Sequence, residues 1–149
     1  MGFFSRLRDQ RAISRDLGQG VWRRAHDRFV RSLDRVFQVL EGIEDNDLYN
    51  EVVVRANELA DLLPQVRQLC IDAQKLTPSD DEHIPQATSQ VHRALTKSAN
   101  DLATTAQVIA MMRMQTKDGE ETNFKPVEHR AEIVKDDVSQ AAQLLADVK

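Results

Sequence analysis

His26, His83, His92 and His129, together with the single cysteine Cys70, are the side chains of this chain best suited to metal ligation or to nucleophile and base chemistry. A carboxylate-bridged metal site in a helical bundle takes glutamates from two helices and Glu-x-x-His pairs from the others, all turned inward. None of the four histidines follows a glutamate at three residues. Asp80-x-x-His83 has the spacing, but it sits in the loop and cap that the turn-forming run Thr77 to Glu82 opens. No metal and no cofactor are therefore expected. Cys70 lies among apolar residues at helical spacing, where a free cysteine acts as a small buried hydrophobe. A reactive thiolate needs a lowered pKa and a basic partner, which nothing in its spacing supplies. One cysteine excludes an intrachain disulfide and suits a reducing compartment. Ser98 has no base to activate it, and Thr88, Ser98 and Thr105 are expected to return their hydroxyls to backbone carbonyls. His26 is expected near an open end of the fold, hydrogen-bonded or partly solvated. There is no phosphate-cradling glycine loop, and Asp118-Gly119-Glu120-Glu121 lacks the calcium-loop ligand pattern. An enzyme is not expected.

What positions these groups is a seven-residue apolar beat. Trp22, Phe29, Val36 and Ile43 lie one heptad apart, with His26, Leu33 and Leu40 between them. The beat returns as Val52, Ala56, Leu59, Leu63, Val66, Cys70 and Ala73, and again from Ile84 to Met112. Its last passage is Val127, Ala131, Val134, Val138, Ala141, Leu145 and Val148. Steps of three and four place such residues on one side of a helix, so the chain reads as helices packed along shared seams. Met111, Met112 and Met114 are expected to fill one end of that packing.

The punctuation sets the segments. A short helix over 2–17 ends at Gly18-Gln-Gly20, since two glycines so close destabilise a helix interior. A second spans 21–43, and Asn46 or Asp47 caps a third that runs to about Thr77. Pro64 interrupts the third, yet the apolar phase continues across it, which predicts one kinked helix. Pro85 suits the first turn of a helix reaching about Gln115, and Pro126 starts the last after the polar connection 116–125. Four long helices on short loops must reverse at each turn. The expected fold is all-α: an antiparallel up-down-up-down four-helix bundle (residues 21–149) with an additional short amphipathic helix in a basic segment, 1–20. A three-helix bundle with the first segment held apart is the nearest rival.

Composition fits this frame: 41% hydrophobic and 30% charged residues are ordinary for a globular helical domain. The net charge of −4 hides a polarity, because residues 1–40 carry nine arginines, no lysine and four aspartates, a net +5. The remainder carries 11 bases and 20 acids, a net −9. No stretch approaches the roughly 20 apolar residues that span a bilayer, and the charged first residues cannot form a secretory signal. A cytoplasmic location is expected, with peripheral attachment at the inner membrane face as one option within it.

The opening Met1-Gly2-Phe3-Phe4-Ser5-Arg6-Leu7-Arg8 is the segment whose composition asks for a partner. Phe3, Phe4, Leu7, Ile13 and Leu17 share one arc of a helix, with Arg8, Arg11 and Arg15 along its edge. Phenylalanine beside arginine suits an interfacial helix on anionic lipid. Over about seven residues the opening resembles the amphipathic starts of peripheral bacterial membrane proteins such as the phage-shock proteins and the signal-recognition receptor. The competing reading, in which Phe3, Phe4 and Leu7 fold back over the core or meet a protein, is favoured because apolar stripes mostly serve cores.

Nucleic acid is disfavoured as a partner: Arg24, Arg28, Arg31 and Arg35 are interleaved with Asp27 and Asp34, and pairs such as Asp27–Arg31 can offset one another. Tyr49, Val53, Ala60, Leu62, Leu69 and Leu76 widen the apolar arc of the helix over 46–77, which points to a central position or to self-association. The expected function is that of a non-enzymatic interaction or scaffold protein. Its expected contacts are a protein partner, a second copy or an anionic membrane surface, met through Phe3, Phe4, Leu7, Arg8, Arg11 and Arg15. The alternative is a small-ligand-binding bundle with a cavity lined by Ala56, Ser98 and Thr105.

Overall fold

The glycines and prolines divide the chain into helices α1 (Phe3–Leu17), α2 (Val21–Glu41), α3 (Asn46–Ala60), α4 (Leu63–Leu76), α5 (Ser89–Lys117) and α6 (Lys125–Val148), with a 3-10 turn at Gln86–Thr88. The computed structural model describes the backbone of residues 3–149 and the side chains of residues 9–149. It is all-α, with no strand among the described residues. Gly18, at φ +71°, makes the reversal between α1 and α2 that a residue with a Cβ resists. The Asp45 carboxylate, one residue before the expected cap, accepts the Leu48 N–H at 2.8 Å and opens α3.

The single kinked helix expected over 46–77 is instead two helices. Pro64 has no N–H to offer the carbonyl of Ala60, and its ring would crowd that carbonyl, so α3 stops at Ala60. Asp61 and Leu62 keep right-handed dihedrals, Leu62 N–H bonds to Leu59 O at 3.1 Å, and α4 restarts with Pro64 in its first turn. The apolar phase survives the break: Val52, Ala56, Leu59, Val66, Cys70 and Ala73 are all buried, and Leu63 partly so. The third passage of the beat starts later than expected. Pro85 holds an extended ψ of 131°, α5 begins only at Ser89, and Ile84 is exposed.

The seam of α2 is buried from Trp22 to Leu40 and continues into Ile43, and that of α6 from Val127 to Leu145, while Val148 is exposed. Helix α5 lies along α2 and α6, and both of those also pack against α3 and α4. Trp22 meets the His92 ring edge-on at 5.8 Å, Arg28 bonds Asn100, and Arg113 reaches Val39 O, so α2 and α5 run in the same direction. Lys97–Asp137 and Arg130–Asp101 set α5 and α6 antiparallel. Glu58–Lys135 and Asp72–Lys149 set α3 and α4 parallel to α6. In the wide apolar arc of α3 and α4, Leu69 is buried and Val53, Ala60 and Leu62 pack against the core, but Tyr49 and Leu76 face solvent.

Candidate functional site

Helix α1 rests on α4 and α2. Leu17 is completely buried and Ile13 packs against the core. Arg23, in the first turn of α2, donates to Ser14 Oγ at 2.8 Å and to Gln10 Oε1 at 3.0 Å, with its Nε on Asp27 at 2.9 Å. The C-terminal half of α1 is thus held by two apolar contacts and a guanidinium clamp. Arg11 and Arg15 remain exposed, Arg15 beside Asp16. Phe3, Phe4, Leu7 and Arg8 belong to α1 by backbone, and their side chains lie outside the described residues.

The joint between α1 and α2 is closed by the loop after α4. Gly20 lies so close to Ser79 that a Cβ there would collide with the Ser79 hydroxyl and backbone. Ser79 Oγ accepts the Val21 N–H at 3.1 Å, and Trp22 Nε1 donates to Thr77 O at 3.1 Å. The Thr88 hydroxyl does not return to its own backbone as expected; it pairs with Thr77 Oγ1 at 2.7 Å and pins the loop to the start of α5. Ser98 and Thr105 do return theirs, to Leu95 O and Asp101 O.

Of the two expected states of His26, hydrogen-bonded or partly solvated, the structure shows the first: it is buried, with both ring nitrogens bonded. Arg67 Nε donates to its Nε2 at 3.3 Å, so that nitrogen must be bare and Nδ1 must carry the proton, which it gives to Asp27 Oδ1 at 3.0 Å. Burial lowers its pKa; the Asp27 bond opposes that and the Arg67 charge adds to it. Burial, with Asp27 nearby, pushes the Cys70 thiol up to about 12. Both ring nitrogens of His26 are thus engaged within the fold, and the Cys70 thiol is held in its protonated form. No three of the described His, Cys, Asp and Glu side chains converge to hold a metal, and His83 sits in the exposed loop expected for it.

One polar cluster escaped the sequence reading. Asp137 of α6 is buried, and its Oδ1 accepts from Lys97 Nζ at 2.9 Å. Lys97 also holds Asp101 Oδ2 at 2.8 Å, and Arg130 Nη2 meets Asp101 Oδ1 at 3.1 Å. Burial pushes the Asp137 carboxyl up to about 6, helped by neighbouring Asp101 and opposed by Lys97. For Asp101, burial acts upward but is outweighed by Asp137, Lys97 and Arg130, which leave it below the usual carboxylate range. The signal for this site was the position of Asp137 beside Val138 and three residues after Val134, on the flank of the seam. This cluster ties α5 to α6.

The outer surface of α2 and α5 differs from expectation in two ways. Asp27 is committed to Arg23 and His26, so it does not offset Arg31. Met112 is buried, but Met111 and Met114 are 60% and 65% exposed and do not fill the end of the fold. Among the described residues no helix is long and apolar enough to cross a membrane. Compared with models of protein families, with curated proteins and with solved structures, the chain finds no match in any of the three.

Proposed function

We propose that this chain is a non-enzymatic contact protein: a helical body that carries a basic amphipathic helix, α1, to a protein partner or to the anionic inner face of a membrane. The observation that supports it is the manner in which α1 is held. Ile13, Leu17 and the Arg23 clamp fix its C-terminal half to α2 and α4, while Arg11 and Arg15 stand in solvent. A helix fixed at one end presents the other end, with Phe3, Phe4, Leu7 and Arg8, at a set place on the body without the entropy cost of ordering a free tail. In this reading the body is a four-rod bundle of α2, α3–α4, α5 and α6. Chain direction alternates from rod to rod, and the loop after α4 carries the chain across to the opposite corner. Cytoplasmic residence, peripheral to the membrane, belongs to the same proposal.

The test is sedimentation with vesicles of phosphatidylcholine and phosphatidylglycerol, together with affinity capture of protein partners. Changing Phe3 and Phe4 to Ser and Arg11 and Arg15 to Gln should abolish whichever contact the wild type makes. Undiminished contact by that variant would sink the proposal. The ligand-cavity alternative draws no support from its nominated residues: Ala56, Ser98 and Thr105 are fully buried, and both hydroxyls are spent on their own helix.

A further inference from the structure

Arg24, Arg28, Arg31 and Arg35 recur at steps of four, three and four along α2 and are all exposed, on the side opposite the buried Trp22, Phe29 and Val36. Arg28, Arg31 and Arg35 rim a shallow hollow of about 300 Å³ on the boundary between α2 and α5. Ala99 and Ala103 lie along its α5 side, where their short side chains leave the space open. Ser32 and Asn100 add polar groups. Asn100 Oδ1 accepts from Arg28 Nη2 at 3.3 Å, which turns the amide N–H₂ away from that arginine and leaves it as a donor.

The charge of this hollow is not balanced from within the fold. Among the described residues no carboxylate lies within ion-pair distance of Arg28, Arg31 or Arg35; Asp27, on the same helix, is held by Arg23 and His26. Asp34 is exposed on α2 and makes no ion pair with either flanking arginine among the described residues. The single acidic residue of α5, Asp101, is engaged by Lys97 and Arg130 toward α6. Three guanidinium groups, a hydroxyl and an amide donor therefore surround one space. Guanidinium is permanently charged and its planar fork matches phosphate oxygens two at a time. The volume is at the lower end of ligand pockets and admits a phosphate with the first atoms of the group it esterifies.

We propose that this hollow is a phosphate-binding site, taking a phosphate ester either from a soluble small molecule or from a phospholipid headgroup. It is separate from the α1 contact: neither Arg11 nor Arg15 lines it, and it stands or falls on different residues.

The test uses the full chain, labelled with ¹⁵N and titrated with inorganic phosphate, against chloride at matched ionic strength. The expected result is saturable shifts at residues 28–35 and 99–103 with phosphate alone. Arg31→Gln with Arg35→Gln should weaken the affinity roughly 25-fold, about fivefold for each arginine. Both side chains are exposed, so the fold is kept, and unchanged shifts elsewhere verify it. Arg11→Gln with Arg15→Gln should leave phosphate binding intact, which separates this site from the α1 proposal. A second arm sediments the same proteins with phosphatidylcholine vesicles, with and without phosphatidylglycerol. Recruitment that needs Arg31 and Arg35 names a lipid source; phosphate shifts without it name a soluble ester, and either sustains the site. Shifts reproduced by chloride, shifts that survive the double substitution, or binding seen only with an oligonucleotide would overturn it.

Discussion

Asp27 holds Arg23 at 2.9 Å, one turn toward the N-terminus, and leaves Arg31, one turn the other way, without a carboxylate partner among the described residues. Both pairings have the same spacing on the helix. Three neighbours break the tie. Ser14 and Gln10 of α1 draw the Arg23 guanidinium inward, and the Nδ1 proton of His26 holds the other oxygen of Asp27. The choice made at Asp27 fastens α1 and frees the basic stripe of α2.

Arg23→Met should therefore loosen α1 without unfolding the body. Two hydrogen bonds to α1 are lost, and Leu17 and Ile13 still anchor it. At a net contribution of about 1 kcal/mol for each of the two bonds, amide exchange over residues 9–17 should quicken by roughly thirtyfold. Global melting should move only slightly. Unchanged exchange in α1 would show that the clamp contributes nothing.

Gly20→Ala tests the joint. An added Cβ meets the hydroxyl and the backbone of Ser79, and backbone cannot step aside as a flexible side chain can. The loop must shift, straining the Val21–Ser79 and Trp22–Thr77 bonds. A loss of about 1–3 kcal/mol in urea unfolding is expected, the range for overpacking a tight site. Gly119→Ala is the contrast, since nothing surrounds a Cβ there; only its φ of +83° opposes the change.

Asp137 and His26 give opposite pH dependences. Asp137 keeps its proton in the fold to about 6, while an unfolded aspartate releases it near 3.9. The folded chain binds more protons between those values, so this contribution is full below about pH 4 and is lost as pH rises through 6. Asp137→Asn mimics the protonated form and still offers an oxygen to Lys97. It should stabilise the protein by about 1–2 kcal/mol at pH 7.5, with the gain vanishing near pH 4. For His26 the folded pKa is lowered, so its contribution is present above the unfolded value of about 6.5 and is lost as pH falls through the folded one. His26→Gln should cost stability at pH 7.5 and flatten the melting profile below pH 6.5. Identical slopes in wild type and variant would refute either assignment.

Cys70 should be inert in the folded protein. With its thiol pushed up to about 12 and no exposed surface, almost no thiolate exists at neutral pH. Alkylation by iodoacetamide is expected only at the rate of unfolding, and should accelerate in step with added urea. Fast labelling under native conditions would contradict the packing of α4.

Much of this fold was legible in the chain itself. The heptads named Trp22, Phe29, Val36, Leu59, Cys70, Val134 and Leu145 as interior, and Gly18-Gln-Gly20 and Pro126 marked helix ends, because side-chain period and backbone freedom are local properties. Spacing also gave the exposed edge of α1 at Arg11 and Arg15. It could not tell a kink from a break at Pro64, since both keep the same apolar phase across a missing hydrogen bond. Nor could it place Met111, Met114 and Ile84, whose exposure depends on how far neighbouring helices extend beside them.

Periodicity, capping and turn residues by themselves determined that this chain is helical, and largely which side of each helix faces inward. Which helices became neighbours was decided only in three dimensions. That decision committed Asp27 to Arg23, buried Asp137 against Asp101, and set around one hollow three arginines that have no carboxylate partner among the described residues. An ion pair or an anion site needs groups brought together from separate helices, and charges at equal spacings along one helix are equivalent until a second helix makes them different.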